Sequence, residues 1–220
     1  MPSYSRNIKT AVLVGAIALG WIMQSTTAKA RDMQVLTVAG GCFWCVEADF
    51  EKVAGVQEVV SGYTGGTVEN PTYKQVTGGG TGHYEAVEIR YDADQISARQ
   101  LYDLFFRSID PTDAGGQFCD RGESYRTAIF VSDTAEEEQA RAAKADAEAE
   151  LGQSIVTPIL EAGPFYDAEA YHQDYYRSQD RVFTRRGVKT MEEAYKFYRE
   201  ACGRDDRIRQ LWGNDAPFVN

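Results

Sequence analysis

The chain has 220 residues, 43% of them hydrophobic and 25% charged, with 4 cysteines, 20 glycines and 6 prolines. That length supports one substantial core; the apolar content excludes a disordered chain, and the cysteines are too few for a disulfide-dense small scaffold. A formal charge of −10 argues against nucleic acid or an anionic membrane as partner.

Arg6 and Lys9 precede an apolar run from Ala11 to Met23, and Ala28-Lys29-Ala30 forms a small-residue cleavage pattern. The run is short for a spanning helix, so residues 1–30 are expected to be a secretory signal peptide and 31–220 the mature domain. The alternative is an uncleaved anchor in the inner membrane. The expected location is periplasmic or secreted, where thiols tend to oxidise.

Gln34 to Ala39 is apolar on both faces and predicts a central strand that ends at Gly40-Gly41. Val46, Phe50 and Val53 recur at helical spacing, so a helix is expected from about Cys42 to Lys52. Val56 to Tyr63 reads as a second strand, followed by a Gly-, Thr- and Pro-bearing loop to Gly82 with at most a short helical turn. Tyr84 to Tyr91 alternates: His83, Glu85, Val87, Ile89 and Tyr91 share one face, with Tyr84, Ala86, Glu88 and Arg90 on the other. Ser97 and Gln100 form a capping box before the amphipathic run Leu101, Leu104, Phe105 and Ile109. A strand from Tyr125 to Val131 completes the order strand, helix, strand, strand, helix, strand. The fold expected is α+β, a two-layer αβ sandwich with a ferredoxin-like βαββαβ core, long loops and C-terminal helices.

Beyond that core, Thr134 and Glu137 predict a capped helix to Leu151 with a Glu137–Arg141 pair, and a strand is expected near Ile155 to Leu160. Thr190 and Glu193 cap a last helix with the apolar stripe Ala194, Phe197, Tyr198 and Ala201, closed by Cys202-Gly203. The charged chain after Gly203 is expected to be loosely held.

The sharpest chemical feature is Gly40-Gly41-Cys42-Phe43-Trp44-Cys45. Cys42 falls at a helix's first turn, where unpaired N–H groups and the dipole's positive end favour a thiolate, so its pKa is expected to be lowered. The alternative is a buried or disulfide-bonded cysteine. Glu85 is the odd member of an apolar strand face; burial there raises a carboxyl pKa and keeps its proton near neutrality, as a general acid requires. The alternative is a strand-end Glu turned to solvent. Asp120 and Tyr125, with Tyr73 from the long loop, are candidates for polar contacts at the same sheet edge. Four cysteines and two histidines lack paired zinc-ligand spacing, and Val46 rather than His follows Cys45, so neither a metal nor haem is expected.

Gly41-Cys42-Phe43-Trp44, Ser61-Gly62-Tyr63-Thr64-Gly65-Gly66, Asn70-Pro71-Thr72-Tyr73, Gly82-His83-Tyr84-Glu85 and Tyr125-Arg126 occur in an order that resembles the A-type peptide methionine sulfoxide reductases. The resemblance runs from Val35 to about Gly213. It implies Cys42 as the nucleophile on the sulfoxide sulfur and Glu85 as proton donor to its oxygen. Tyr73, Tyr125 and Asp120 would hold the polar side, and Phe43 and Trp44 would cage the methyl group. The substrate implied is methionine (S)-sulfoxide, free or in proteins, and the product a Cys42 sulfenic acid that a second thiol converts to a disulfide. No prosthetic cofactor is implied, only an external dithiol reductant such as a thioredoxin-like protein.

For the resolving cysteine, Cys202 is expected to swing in on a mobile tail, with Cys45 as the alternative. Cys45 departs from the family, which commonly has Gly after the Trp. Cys119 reads as a buried thiol or a relay. The competing function is an extracytoplasmic thiol–disulfide oxidoreductase that uses Cys42 and Cys45.

Overall fold

The computed structural model describes residues 32–219; the expected signal peptide lies outside them. The central sheet begins with β1 (Met33–Gly40), which runs into α1 (Phe43–Phe50), then β2 (Val56–Thr64), the short α2 (Tyr73–Thr77), β3 (Tyr84–Asp92) and α3 (Ala98–Ser108). A two-strand hairpin follows, β4 (Gly116–Gln117) with β5 (Asp120–Arg121), and then β6 (Thr127–Val131) and α4 (Thr134–Leu151). Short strands β7 (Ile159–Glu161) and β8 (Tyr166–Asp167) precede a hairpin of β9 (Arg181–Thr184) and β10 (Gly187–Thr190). The chain ends in α5 (Met191–Ala201) and α6 (Arg204–Trp212).

The six-stranded sheet has the order β7-β6-β1-β3-β2-β8. Its inner four strands, β6-β1-β3-β2, are mutually antiparallel, the ferredoxin-like arrangement expected from the element order. β7 extends one edge in parallel with β6, and β8 extends the other antiparallel to β2. One face buries Leu36, Val38, Val87, Ile89 and Ile129 against Val46 and Phe50 of α1, Leu101 and Phe105 of α3, and the alanines of α4. Each fully buried large side chain contributes about 1.5–3 kcal/mol, which is why helix and sheet hold as two layers. The opposite face carries Tyr84, Ala86, Ala128 and Phe130, covered by Leu160 and Phe165. The alternation read from Tyr84 to Tyr91 is therefore the real division between the two faces.

Local signals fixed most boundaries. Ser97 and Gln100 cap α3 reciprocally, as Thr190 and Glu193 cap α5. The cap of α4 is one residue earlier than expected: Asp133 accepts from the Glu136 amide, a carboxylate being the stronger acceptor, and Glu137 still meets Arg141 at 2.8 Å. The last core strand starts at Thr127, because Glu123–Tyr125 is a 3₁₀ turn closed by the Tyr125 amide on the Gly122 carbonyl.

Two expectations fail at the C-terminus. The buried side of α5 is Met191, Ala194, Tyr195 and Arg199, while Phe197 and Tyr198 are open to solvent. Hydrophobic periodicity misplaced this face because Arg199 turns inward to meet Asp49 at 2.9 Å. The segment after Gly203 is ordered as α6, whose Arg204, Ile208 and Trp212 are buried. Arg204 donates to the Ser108 carbonyl at 2.8 Å and Arg207 to Asp110 at 2.7 Å, so the charges anchor this helix. Among the described residues no helix is long and apolar enough to cross a membrane.

Candidate active site

The turn from β1 into α1 requires its glycines. Gly41 sits at φ +81°, and a Cβ there would lie 2.5 Å from Gln117 Cβ; at Gly40 a Cβ would press on Val46 and Ile109. The close approach of Gln117 brings the β4–β5 hairpin against the mouth of α1. Cys42 is the N-cap residue: its carbonyl accepts from the Cys45 amide at 3.0 Å, while its half-buried side chain makes no hydrogen bond that caps the helix.

Glu85 lies opposite Tyr63 in the β2–β3 ladder and is buried, as the apolar face predicts. Its Oε2 accepts from the Phe43 amide at 3.1 Å, and its Oε1 has no hydrogen-bond partner. Burial pushes its pKa up to about 8, opposed by the Phe43 amide and reinforced by Asp120 and Cys45. The carboxyl therefore keeps its proton near neutrality with one oxygen unengaged.

The thiols differ from expectation. Cys42 and Cys45 are both free and hydrogen-bond to each other. The Cys45 contact, burial, and the nearby carboxyls of Glu85 and Asp120 push Cys42 up rather than down. Cys45 takes the lower value, about 7, because it receives the Cys42 hydrogen bond and faces the Arg204 and Arg199 guanidiniums. The helix-end effect on Cys42 is outweighed by the Cys45 hydrogen bond and burial, to which Cys45, Glu85 and Asp120 add as nearby negative charges. The pair carries its first negative charge on Cys45, and Cys42 has a sulfur beside it to which its proton can pass.

Tyr73, Tyr125 and Asp120 gather as expected around Cys42 and Glu85. The Tyr73 phenol feels Glu85, Cys42, Tyr125 and Asp120, and the Tyr125 phenol feels Glu85, Tyr73 and Asp120. Burial raises both phenols above their ordinary value, so both remain hydrogen-bond donors. Burial also raises Asp120, with Arg204 opposing. Phe43 is buried among Tyr63, Tyr73 and His172, with ring centroids 5.9, 6.2 and 5.1 Å away. Trp44 is half-buried and stacks on Tyr175 at 3.8 Å.

His172 is the hub of this aromatic wall. Its Nδ1 accepts from Trp44 Nε1–H at 3.1 Å, and its ring lies 4.3 Å from that of Tyr73. Burial lowers its pKa to about 4, so it is a neutral acceptor that orients Trp44. Nothing in the local sequence Tyr171-His172-Gln173 marks it for this role, because its partners Trp44 and Tyr73 are distant in the chain. Equally hidden was Glu47, which accepts from Ser61 Oγ at 2.6 Å and ties α1 to β2.

A cavity of about 340 Å³ opens on Cys42, Trp44, Cys45, Phe118, Asp120 and Tyr195, and Cys119 and Cys202 also line it. Two larger clefts, beside α5 and beside β2, are lined mostly by charged side chains and no cysteine. Cys202 is disulfide-bonded to Cys119, with their Cα atoms 4.9 Å apart, and lines the same cavity as Cys42. Cys119 is exposed rather than buried, because it sits at the tip of the β4–β5 hairpin that Gln117 anchors beside the end of α5. Cys119, Asp120 and Cys202 are close enough to share an ion, but the two sulfurs are already bonded to each other.

The family model described as "Peptide methionine sulfoxide reductase" matches residues 34–206, nearly the whole span from β1 into α6. The chain belongs to that family. It is 45% identical over 189 residues to "Peptide methionine sulfoxide reductase MsrA 2" of Rhizobium meliloti (strain 1021), covering 86% of this chain and 88% of the relative. It is 46% identical over 187 residues to the MsrA of Bacillus subtilis (strain 168), covering 84% and 98%. Among solved structures, reduced Mxr1 from Saccharomyces cerevisiae superposes with a TM-score of 0.62 at 33% identity, covering 65% of this chain and 83% of the other. Methionine sulfoxide reductase A of Corynebacterium diphtheriae gives 0.60 at 33%, covering 65% and 73%. The matched span takes in Cys42, Cys45 and Glu85 together, so a stand-alone thiol–disulfide oxidoreductase is not favoured.

Proposed function

We propose that the protein reduces methionine sulfoxide, free or in proteins, to methionine by a thiol mechanism. The supporting observation is the Glu85 carboxyl, protonated near neutrality and held by the Phe43 amide at 3.1 Å, one residue from the Cys42 thiol. A sulfoxide oxygen leaves poorly until protonated. Glu85 gives it a proton, the Cys42 proton passes to Cys45, and Cys42 sulfur attacks the substrate sulfur. The S–O bond breaks as the protonated oxygen leaves as water. Water then adds to Cys42, the Cys42–substrate sulfur bond breaks and the thioether is released. Cys42 is left as a sulfenic acid, so substrate sulfur gains the two electrons that Cys42 loses.

In this reading Tyr73 and Tyr125 donate hydrogen bonds to the sulfoxide oxygen and Asp120 orients the polar side. Phe43 and Trp44 offer aromatic surface to the methyl group. The S epimer is the assigned substrate on the family resemblance. The chain is further assigned to the periplasm or exterior with residues 1–30 removed, which N-terminal sequencing of the exported protein tests. A thioredoxin-like dithiol protein is the assigned reductant.

Incubation with each separated sulfoxide epimer and dithiothreitol, followed by quantification of methionine, tests the reaction. Methionine from the S epimer alone is expected; none from either epimer overturns the reading.

A further inference from the structure

The β9–β10 hairpin is a basic stretch in an acidic chain. Arg181, Arg185, Arg186 and Lys189 stand there with no acidic residue between Arg181 and Thr190, in a protein of formal charge −10. All four are exposed. The arginines of α5 and α6 are matched to carboxylates, as in Arg199–Asp49, Arg207–Asp110 and Arg209–Asp206. Among the described residues no carboxylate pairs with the four hairpin cations, and Arg186 lies instead over the Phe197 ring, 4.3 Å from its centroid.

The same hairpin turns apolar side chains outward. Residues alternate along β9, so Val182 packs inward on the cluster of Cys45, Tyr175 and Met191, on which Trp44 also rests. Phe183 next to it points to solvent and is 93% exposed, opposite the exposed Val188 in the ladder. From Arg186 the surface continues through Phe197 to Tyr198, whose ring is 5.7 Å away and lines the cavity that holds Cys42 and Trp44. An aromatic strip bordered by unpaired cations therefore leads out of the cavity, and such a strip marks a surface that meets a partner.

We propose that this strip holds the chain flanking the oxidised methionine of a protein substrate, selecting unfolded segments with Asp or Glu about three or four residues from the sulfoxide. This rests on the proposed sulfoxide reduction and narrows its substrate class. A methionine sulfoxide within a chain reaches Cys42 only with its neighbours lying across the cavity rim. The steps from Tyr198 to Phe197 and on to Arg186 match about three residues of extended chain, at about 3.4 Å each. An acid there meets Arg185 and Arg186, and an apolar side chain beside it lies on Phe183 and Val188. Repulsion from the rest of this acidic surface and attraction to the hairpin orient such a segment, an effect that salt weakens.

Two peptides supply the test. Each carries a single methionine (S)-sulfoxide, and they differ only in having Glu or Lys at the third and fourth positions on either side. kcat/KM is measured with saturating dithiothreitol and divided by that of the same preparation on N-acetyl-methionine (S)-sulfoxide, which is too short to reach the hairpin. The wild type is expected to favour the Glu peptide by about 10-fold at low salt, with the preference fading as salt is added. Arg185→Glu combined with Arg186→Glu should bring the preference to one or reverse it. Equal use of the two peptides by the wild type, or a preference unchanged in the double variant, overturns the proposal. A double variant impaired only when a thioredoxin-like protein replaces dithiothreitol assigns the strip to the reductant and overturns it as well. No methionine from N-acetyl-methionine (S)-sulfoxide instead overturns the reaction on which the proposal rests.

Discussion

The Phe43 backbone amide donates to Glu85 Oε2 at 3.1 Å, joining the first turn of α1 to the middle of the sheet. This bond sets the distance between acid and nucleophile: Phe43 follows Cys42 directly, and Glu85 is held by the β2–β3 ladder. The other oxygen of the same carboxyl is left unpaired, and a buried acceptor without a partner is costly unless protonated or met by a ligand.

That proton links stability to pH. Folded Glu85 keeps it up to about 8, whereas the unfolded chain releases it at about the ordinary 4.5. The contribution is complete below the lower value and is lost as pH rises through the upper one. At about 1.4 kcal/mol per pH unit, Glu85 alone removes about 2 kcal/mol between roughly pH 6.5 and 8. Glu47, raised to about 7 by burial, acts in the same direction, while His172, lowered to about 4, acts oppositely and only below its ordinary 6.5. Urea unfolding of the wild type and Glu85→Gln across this range isolates the Glu85 share, and the variant is expected to show the flatter profile.

The two inner thiols should titrate as a pair. One proton leaves at about 7, carried by Cys45 under the influence of Arg204 and Arg199, and the second leaves well above the ordinary thiol value. Ultraviolet thiolate absorbance, followed with the Cys119–Cys202 bond closed, is expected to show these two widely separated steps. Cys45→Ser should abolish the lower step.

Trp44 depends on His172. His172→Leu leaves the indole N–H without its acceptor and is expected to cost about 1–3 kcal/mol of stability, with KM rising more than kcat falls. His172→Gln offers a replacement acceptor and should recover part of both. Indole fluorescence together with steady-state kinetics on the two variants checks this.

Arg199 and Asp49 are a buried ion pair, 8% and 1% exposed, that fastens α5 to α1. Arg199→Met takes the closest cation from the buried Asp49 carboxylate, leaving Arg204 at 3.9 Å and Lys52 at 4.0 Å, and is expected to destabilise the fold by about 3 kcal/mol. Adding Asp49→Asn should recover much of that loss in denaturant unfolding.

The part of this site legible in the sequence was carried by residues whose type conflicts with their surroundings. Glu85 on an apolar strand face and the glycines ahead of Cys42 announced themselves, and the alternation in β3 placed Glu85 on the helix side. Boundaries marked by side-chain caps, at Ser97 and Thr190, were equally readable. What stayed hidden were long-range pairings of charged or polar residues. Arg199 and Arg204 look like surface charges until Asp49 and the Ser108 carbonyl are seen beside them, and they turn an apparently loose tail into α6. Loop closure between Cys119 and Cys202, 83 residues apart, has no local signature either. The lowered pKa expected of Cys42 failed because its position on a helix was legible, whereas the Cys45 hydrogen bond and the burial that push it up were not.

The central claim is that a protonated Glu85 delivers the proton that lets the sulfoxide oxygen leave as Cys42 attacks sulfur. The most direct measurement is the single-turnover rate of methionine formation from the S-sulfoxide as a function of pH, in the wild type and in Glu85→Gln. The wild-type rate is expected to fall as pH rises through about 8, and the variant to be slower by about 10²–10⁴-fold below it, without that inflection. A variant as fast as the wild type, or a wild-type rate unchanged across that range, would contradict the account.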